Sequence, residues 1–222
     1  MKKLFWIACA CLMAACTSDN TAPTVPVYGW TGWDDNTTEQ SLRENFTAWR
    51  DHGVIGVCLN VGMDTMKARI GAQVAHELGM EFHAWAPSMI NGECDSTWYT
   101  VNRLGESAFN KEKRAYVEYY ATLDPHNPDV IQYIIDKYSA LADIPGVDYV
   151  QFDYIRYADV ILSEGLWDKY NGKIAHEWRD AEGNVHEYPG ADYCYCDACC
   201  ADFLAKTGID IKAKLAEGVD PA

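Results

Sequence analysis

Four apolar segments of this sequence end in polar or aromatic residues, and those ends carry the side chains that could do chemistry. The clearest is GVDYVQFDYIRY, residues 146–157, in which an apolar and β-branched stretch runs into Asp153 and VDYVQFDYIRY, residues 147–157, is predicted to be the fourth strand. Trp30, Asn60 and Trp85 stand at the ends of three earlier segments of the same kind. Parallel strands place such residues at one edge of a sheet, where a carboxylate can act as an acid, a base or a nucleophile.

The sequence between these segments must form the elements that position them. Three stretches combine helical spacing of apolar residues with a capping signal at their start. Asn36, with Glu39 three residues later, predicts a capping box. Asp64 predicts a second cap, and Asn127 followed by Pro128 predicts a third. Apolar strands that alternate with helices predict an α/β fold with a parallel sheet and right-handed crossovers.

Two architectures fit that alternation, an open doubly wound sheet and a (β/α)8 barrel of the TIM type. No glycine-rich phosphate loop follows the first strand, and several strand ends carry functional side chains, so the barrel is favoured. A whole barrel takes about 250 residues. Only four strands can be found, so we expect residues 27–222 to be a catalytic barrel domain truncated at its C-terminus, with about four β/α units. The alternative is a complete small α/β domain.

Side-chain parity separates the two faces of each predicted strand. Because side chains alternate along a strand, the apolar set should face the helices and the polar or aromatic set should face the barrel lumen. The expected lumen sets are Tyr28 with Trp30, Cys58 with Asn60, His83 with Trp85, and Gln151 with Asp153.

The N-terminus reads MKKLFWIACACLMAAC, with a basic start, an apolar run and small residues before Cys16. Residues 1–15 are typical of a secretory signal peptide. MAAC resembles the lipobox of bacterial lipoproteins, which predicts lipidation of Cys16 and a flexible tether over residues 16–26. Thr17 stands where an inner-membrane retention aspartate is common, so an outer-membrane lipoprotein facing the periplasm or the cell surface is expected. The alternative is an ordinary cleaved signal ending near Ala15.

The charge balance limits the partners of this protein. The chain has a formal net charge of −15, and loss of Lys2 and Lys3 with the signal takes it to −17. Such a charge argues against nucleic acid and anionic membrane surfaces as partners, so a lipid anchor is the one expected membrane contact. The negative charge is compatible with binding of a neutral poly- or oligosaccharide. The 8 Trp and 14 Tyr provide aromatic rings that can stack on sugars.

Four cysteines, Cys194, Cys196, Cys199 and Cys200, form the motif CYCDACC near the C-terminus. Four thiolates could hold a structural zinc, but the adjacent Cys199 and Cys200 make poor co-ligands. An oxidising compartment favours disulfides, for which Cys94 is a further partner. We therefore expect no metal and no cofactor, with these four cysteines as the candidate ligands if a metal site exists.

Residues 26–157 resemble a known family. LDPHNPDVIQYIIDKYSALADIPGVDYVQFDYIRY and AQVAHELGMEFHAW are similar to the fourth-strand and third-strand motifs of the glycosyl-hydrolase-like family 10 lipoproteins. These are bacterial envelope proteins with a (β/α)8 barrel, and some cleave the glycan strands of peptidoglycan. Ala158 replaces a usual proline, WAPSM replaces W-L-N-P-Y, and family members continue through four more strands. The resemblance implies a glycosidase, an O-glycosyl hydrolase acting on peptidoglycan-type or other complex glycan, and a fragment that is inactive alone.

Glycoside hydrolysis uses two carboxylates, one as acid and one as nucleophile or base. Asp153 is the candidate catalytic residue, although a strand-end ion pair with Arg156 is the alternative. Asp124, in LDPHNP, is expected to be a turn and cap residue. The second carboxylate lies on a later strand or is one of four aspartates: Asp34, Asp35, Asp64 or Asp159.

Seven side chains around Asp153 are candidates for substrate binding. The planar guanidinium of Arg156 suits a carboxylate or lactyl group, or a salt bridge at the rim. His83 fits a hydrogen-bonded lumen residue better than a general base. The full set is Trp30, Asn60, His83, Trp85, Gln151, Arg156 and Tyr157. Two alternative functions remain: a non-catalytic carbohydrate-binding lipoprotein on the same scaffold, and a cysteine-rich metal-binding envelope protein.

Overall fold

The computed structural model describes residues 25–115, 118–157, 182 and 189–219. The signal peptide, Cys16, nearly all of the tether and Asp159 lie outside the described residues. Among the helices that are described, none combines the length and the apolar character needed to cross a membrane.

A parallel sheet of four strands organises the described chain. The strands are β1 (Tyr28–Gly32), β2 (Gly56–Asn60), β3 (Glu81–Pro87) and β4 (Tyr149–Asp153). Their order in the sheet is their order in the sequence, β1-β2-β3-β4, and all three pairings are parallel. The predicted α/β fold, with strands that alternate with helices, is therefore confirmed.

In the sequence, helices lie between the strands and after the last strand. α1 (Glu39–Asp51) and α2 (Thr65–Glu77) lie between successive strands, and α3 (Pro128–Ala142) precedes β4. Two more helices, α4 (Asp197–Thr207) and α5 (Ile211–Ala216), lie near the C-terminus. Asp64 caps α2, and the Asn127 cap of α3 is followed by proline, as the sequence predicts.

The predicted cap of α1 is wrong by two residues. Thr38, not Asn36, accepts the Ser41 amide, and the Ser41 hydroxyl is bonded back to Thr38 in a capping box. Asn36 lies in the preceding turn, where its amide donates to the Asp34 carboxylate. The turn residues Asp34 and Thr37 bond to each other, so the helix can begin only after them.

The hydrophobic core lies between one face of the sheet and the helices. Phe46 of α1 and Phe82 of β3 are fully buried in one cluster with residues of α2 and α3. Gly29 allows the Trp49 ring to pack directly on β1, because a Cβ there would lie 2.4 Å from the indole. From β4, Phe152 stacks on Tyr138 of α3 with ring centroids 3.9 Å apart. The apolar parity set therefore faces the helices.

The fourth strand ends at Asp153, whereas the sequence predicted an extended segment through Tyr157. Tyr154 has a φ of +49°, which lies in the left-handed region and stops the extended chain. Its ring packs edge-on against Tyr120, with centroids 5.8 Å apart. This change of direction makes Asp153 the last residue of β4, so its side chain stands at the carboxyl edge of the sheet.

Candidate functional site at the carboxyl edge of the sheet

The polar and aromatic side chains that were predicted to face the barrel lumen lie together on the sheet face opposite the helices. The His83 ring lies between Tyr28 of β1 and Tyr149 of β4, with ring centroids 4.9 and 4.5 Å apart. Trp30 is level with Cys58 in the strand ladder, and burial raises the pKa of the Cys58 thiol. Side chains from all four strands therefore meet on this face, as parity predicts.

A hydrogen bond joins the two outer strands of the sheet across this face. The indole nitrogen of Trp30 donates to Oε1 of Gln151 at 3.2 Å. In a flat sheet these residues would lie about 15 Å apart, because neighbouring strands are about 4.8 Å apart. The bond requires the sheet to curve, so the face that carries these side chains is concave.

The carboxylate of Asp153 lies above this concave face. Its Oδ2 accepts a hydrogen bond from the Trp85 indole nitrogen at 3.0 Å, and its Oδ1 accepts from the Tyr154 amide at 2.7 Å. The carbonyl of Asp153 also accepts from the amide of Ser88 at 2.7 Å. These bonds fix both the backbone and the carboxylate, which leaves the carboxylate half-buried at the end of the strand.

Two further candidates for substrate binding, Asn60 and His83, lie on the strands themselves. Asn60 accepts the Gly62 amide at 3.1 Å and therefore shapes the turn after β2. Nε2 of His83 is buried without a hydrogen bond among the described residues, and it lies 3.8 Å from Glu81. Both residues are on the concave face, but their described contacts are with residues other than Asp153.

Arg156 and Tyr157 lie beyond the strand. Arg156 is exposed and donates to the carbonyl of Tyr157 at 3.1 Å. The Tyr157 ring lies 6.4 Å from that of Tyr193, and burial, followed by nearby thiols and Asp124, raises the pKa of its hydroxyl. Tyr157 therefore belongs to the surroundings of the cysteine motif, and the chain from 154 to 157 links it to Asp153.

Two of the aspartates considered as second carboxylates, Asp34 and Asp64, have local partners. Asp34 accepts the hydroxyl of Thr37 and the amide of Asn36, and these bonds lower its pKa. Asp64 accepts two amides at the start of α2. Asp35 is exposed after β1. Glu81 also lies on the concave face, but at the amino end of β3, where it accepts the Tyr28 hydroxyl at 2.9 Å. Among the described residues Asp153 is the carboxylate that a side chain from a neighbouring strand holds at the carboxyl edge of this face.

A second cluster of reactive side chains surrounds Asp124. Ligand atoms of Asp124, Cys194, Cys196 and Cys199 all lie within 4.8 Å of one another. The Cys196 thiol donates to Oδ2 of Asp124 at 3.0 Å, and the Cys199 sulfur lies 3.7 Å from Oδ1. These donors are the types that bind zinc.

The structure separates the four cysteines of the motif. Cys196 is the N-cap of α4 and Cys199 lies in its first turn, whereas Cys200 is not part of the cluster. Burial raises the pKa of Cys194 to about 12. The six cysteines among the described residues are all free thiols, so the disulfide expected for this motif is not formed there, and Cys94 is not joined to it.

Sequence reasoning did not place Asp124 with the cysteines. Its expected turn role is present, because its carbonyl accepts the Asn127 amide and its Oδ1 accepts the His126 amide. The proximity to Cys196 depends on pairing between distant segments, including an antiparallel bridge between Asn102 and Tyr193. The spacing C-x-C-x-x-C was the available signal for the cysteines, but nothing in the sequence indicated their fourth neighbour.

No model of a known protein family matches this sequence, and no curated protein matches it either.

Proposed function

We propose that this protein is a glycoside hydrolase of the bacterial envelope, acting on peptidoglycan-type or other complex glycan, and anchored by a lipid on Cys16. The observation that carries the proposal is Asp153, a carboxylate at the carboxyl end of a parallel strand, bonded to Trp85 on a concave, aromatic face. The motif resemblance of residues 26–157 to glycosyl-hydrolase-like family 10 agrees with it.

The proposal includes a (β/α)8 barrel, of which these four strands are the first part. A doubly wound sheet reverses its strand order and carries helices on both faces. Here the order is sequential, and the core holds α1, α2 and α3 against one face. Tyr149 and Phe152 of β4 are 54% and 49% exposed. A further β/α unit packed beside β4 would cover them, as parallel sheets require.

In this reaction Asp153 supplies one of two carboxylates that flank the scissile bond. Hydrolysis proceeds through a transition state with positive charge on the sugar ring, which a nearby carboxylate stabilises. The indole of Trp85 holds Oδ2, so the carboxylate keeps one orientation while the sugar binds. The second carboxylate is supplied by a later strand of the proposed barrel.

The substrate is held chiefly by aromatic faces, with one cationic side chain at the edge. Trp30 is 62% exposed on the concave side, and Trp85 lies beside the carboxylate. Flat rings of this kind stack on sugar rings, and a net charge of −15 does not oppose a neutral glycan. Arg156, which is exposed next to this edge, suits a substrate carboxylate or lactyl group.

The test compares two aspartate-to-asparagine variants of the complete gene product. Asp153→Asn removes the carboxylate at the carboxyl end of β4, and we expect hydrolysis of purified peptidoglycan to fall by at least about 1,000-fold. Glycan binding should remain, because the aromatic faces of Trp30 and Trp85 are unchanged. The control Asp148→Asn changes the residue just before the same strand, at the opposite edge, and should leave the activity of the folded protein intact.

A second function, carbohydrate binding without catalysis, is favoured by one observation. Asp34 and Asp64, which stand after the first two strands, are both engaged in turn and cap hydrogen bonds. Neither is therefore placed to act as the second carboxylate that hydrolysis requires. Under this alternative the complete gene product binds glycan and releases no reducing ends, and Asp153→Asn changes neither result. Measured hydrolysis that depends on Asp153 separates the two functions.

A further inference from the structure

We propose that Asp124, Cys194, Cys196 and Cys199 form a structural zinc site. Their ligand atoms converge within 4.8 Å although Asp124 is separated from the three cysteines by about 70 residues of chain. Asp124 follows the long connection after β3, whereas Cys196 and Cys199 begin α4. A bound ion would therefore join two distant segments beside the sheet.

The distances are close to those of a metal-bound set. Zinc bonds of about 2.3 Å to sulfur and about 2.0 Å to oxygen, at tetrahedral angles, place the ligand atoms about 3.5–3.8 Å apart. From Oδ2 of Asp124, Cys196 Sγ lies 3.0 Å away and Cys199 Sγ lies 3.9 Å away. All four ligand atoms lie within 4.8 Å of one another, so binding requires the widest pairs to close towards that range.

The burial of Asp124 indicates that a cation belongs here. This residue is only 4% exposed, and a buried carboxylate requires a cationic or strongly donating partner. Among the described residues its oxygens meet two thiols and the amide of His126, and no lysine or arginine pairs with it. Thiols are weak donors, so this buried carboxylate lacks a strong partner among the described side chains.

Backbone amides already support the sulfur atoms. The Val101 amide donates to Cys194 Sγ at 3.4 Å, and the Cys199 amide donates to Cys196 Sγ at 3.3 Å. Hydrogen bonds of this kind orient metal ligands and stabilise their thiolate form. The His126 amide likewise fixes Oδ1 of Asp124 at 2.9 Å and leaves Oδ2 directed at Cys196.

Zinc is the metal that fits this donor set. Three sulfurs and one carboxylate oxygen suit a borderline-soft ion with tetrahedral geometry, whereas calcium and magnesium prefer oxygen ligands. Binding replaces one proton on each of the three thiols, and three protons pass to the buffer. All four ligands come from the protein, which is typical of a structural rather than a catalytic zinc site.

The experiment uses the complete gene product, purified under reducing conditions without chelators, with zinc measured by mass spectrometry and by titration of the metal-free protein. We expect about one zinc per chain, release of protons on binding, and a lower melting temperature after chelation. Cys196→Ser should weaken zinc binding by more than about 100-fold, because a lost ligand costs more than a lost supporting contact. Cys200→Ser is the matched control and should bind zinc like the unmodified protein.

Asp124→Ala provides a second variant should Cys196→Ser fail to fold. It leaves every thiol in place and should weaken zinc binding by more than about 10-fold. Cobalt substitution should give thiolate charge-transfer and tetrahedral absorption bands that Cys200→Ser retains. The proposal is overturned by reduced, folded protein that binds no zinc, or by a Cys200→Ser variant that loses zinc as completely as Cys196→Ser.

Discussion

The Trp30 indole on β1 donates a hydrogen bond to the Gln151 side chain on β4, at 3.2 Å and across two intervening strands. These two strands are the outer ones of the described sheet, and Gln151 lies two residues beyond Tyr149, which is level with Trp30 in the ladder. The bond can form only because the sheet is curved. The hydrogen bond therefore indicates that strands in this register form a curved sheet, and the proposed site lies on the concave face of that sheet.

The coupling between these residues is measurable. Trp30→Phe removes the donor and keeps a ring, and Gln151→Leu removes the acceptor at similar volume. Each change should lower the free energy of unfolding by about 0.5–1.5 kcal/mol, and the double variant should lose less than the sum. Urea unfolding of the three variants gives the coupling energy. Strictly additive losses would show that the two side chains do not interact in solution.

Two glycines of β1 should respond differently to alanine. A Cβ at Gly29 lies 2.4 Å from the Trp49 ring, whereas a Cβ at Gly32 meets nothing within 4 Å. Gly29→Ala should therefore destabilise the protein by about 1–3 kcal/mol through overpacking. Gly32→Ala, in the same strand, should stay within about 0.5 kcal/mol of the unmodified protein. Equal effects in chemical denaturation would contradict the packing of α1 on β1.

Asp148 should contribute a pH-dependent part of the stability. Burial opposes its ionisation, but hydrogen bonds from His76 at 2.9 Å and the Phe82 amide at 2.8 Å outweigh burial, so its pKa is lowered. A carboxyl whose pKa is lowered by folding stabilises the protein above its unfolded pKa, about 3.9, and loses that contribution as the pH falls through the folded value.

Asp148→Asn should therefore lower the free energy of unfolding at pH 7 by about 1 kcal/mol, with a smaller difference below pH ~4. Urea unfolding across this pH range measures the difference. Asp136→Asn changes an exposed carboxylate on α3 and serves as the control. A difference between Asp148→Asn and the unmodified protein that stays constant from pH 7 to pH ~3 would rule out the linkage.

Trp85 should act on catalysis through Asp153. Trp85→Phe keeps an aromatic face for the sugar but removes the N–H that holds Oδ2 at 3.0 Å. We expect kcat for glycan hydrolysis to fall by about 10-fold or more, with little change in KM, because orientation is lost and stacking is kept. A change confined to KM would assign Trp85 to binding alone.

Much of the sheet could be predicted because local patterns determine it. Apolar runs between helix caps located four strands, and strict alternation assigned Trp85 and Asp153 to one face. The predicted end of the fourth strand was wrong because it depends on the left-handed backbone of Tyr154, a residue type that seldom signals such a turn. The cap of α1 was misplaced because Asn36 and Thr38 are both good cap residues, and the local turn decided between them.

The cluster around Asp124 could not be predicted from sequence spacing. Its proximity to Cys196 is created by contacts between distant segments, such as the bond from the Tyr195 amide to the Val101 carbonyl. Helix spacing does not separate Cys199 from Cys200, because residues three and four positions after Cys196 both lie on its side of the helix. The cluster includes Cys196, the N-cap of α4, and Cys199 but not Cys200, and this division is visible only in the structure.

The most direct measurement is a crystal structure of the Asp153→Asn variant of the complete gene product with a bound glycan oligosaccharide. The account predicts a sugar lying across the concave face, stacked on Trp30 or Trp85, with a glycosidic oxygen within hydrogen-bond distance of side chain 153. A sugar bound elsewhere, or a side chain 153 directed towards the helices, would contradict it.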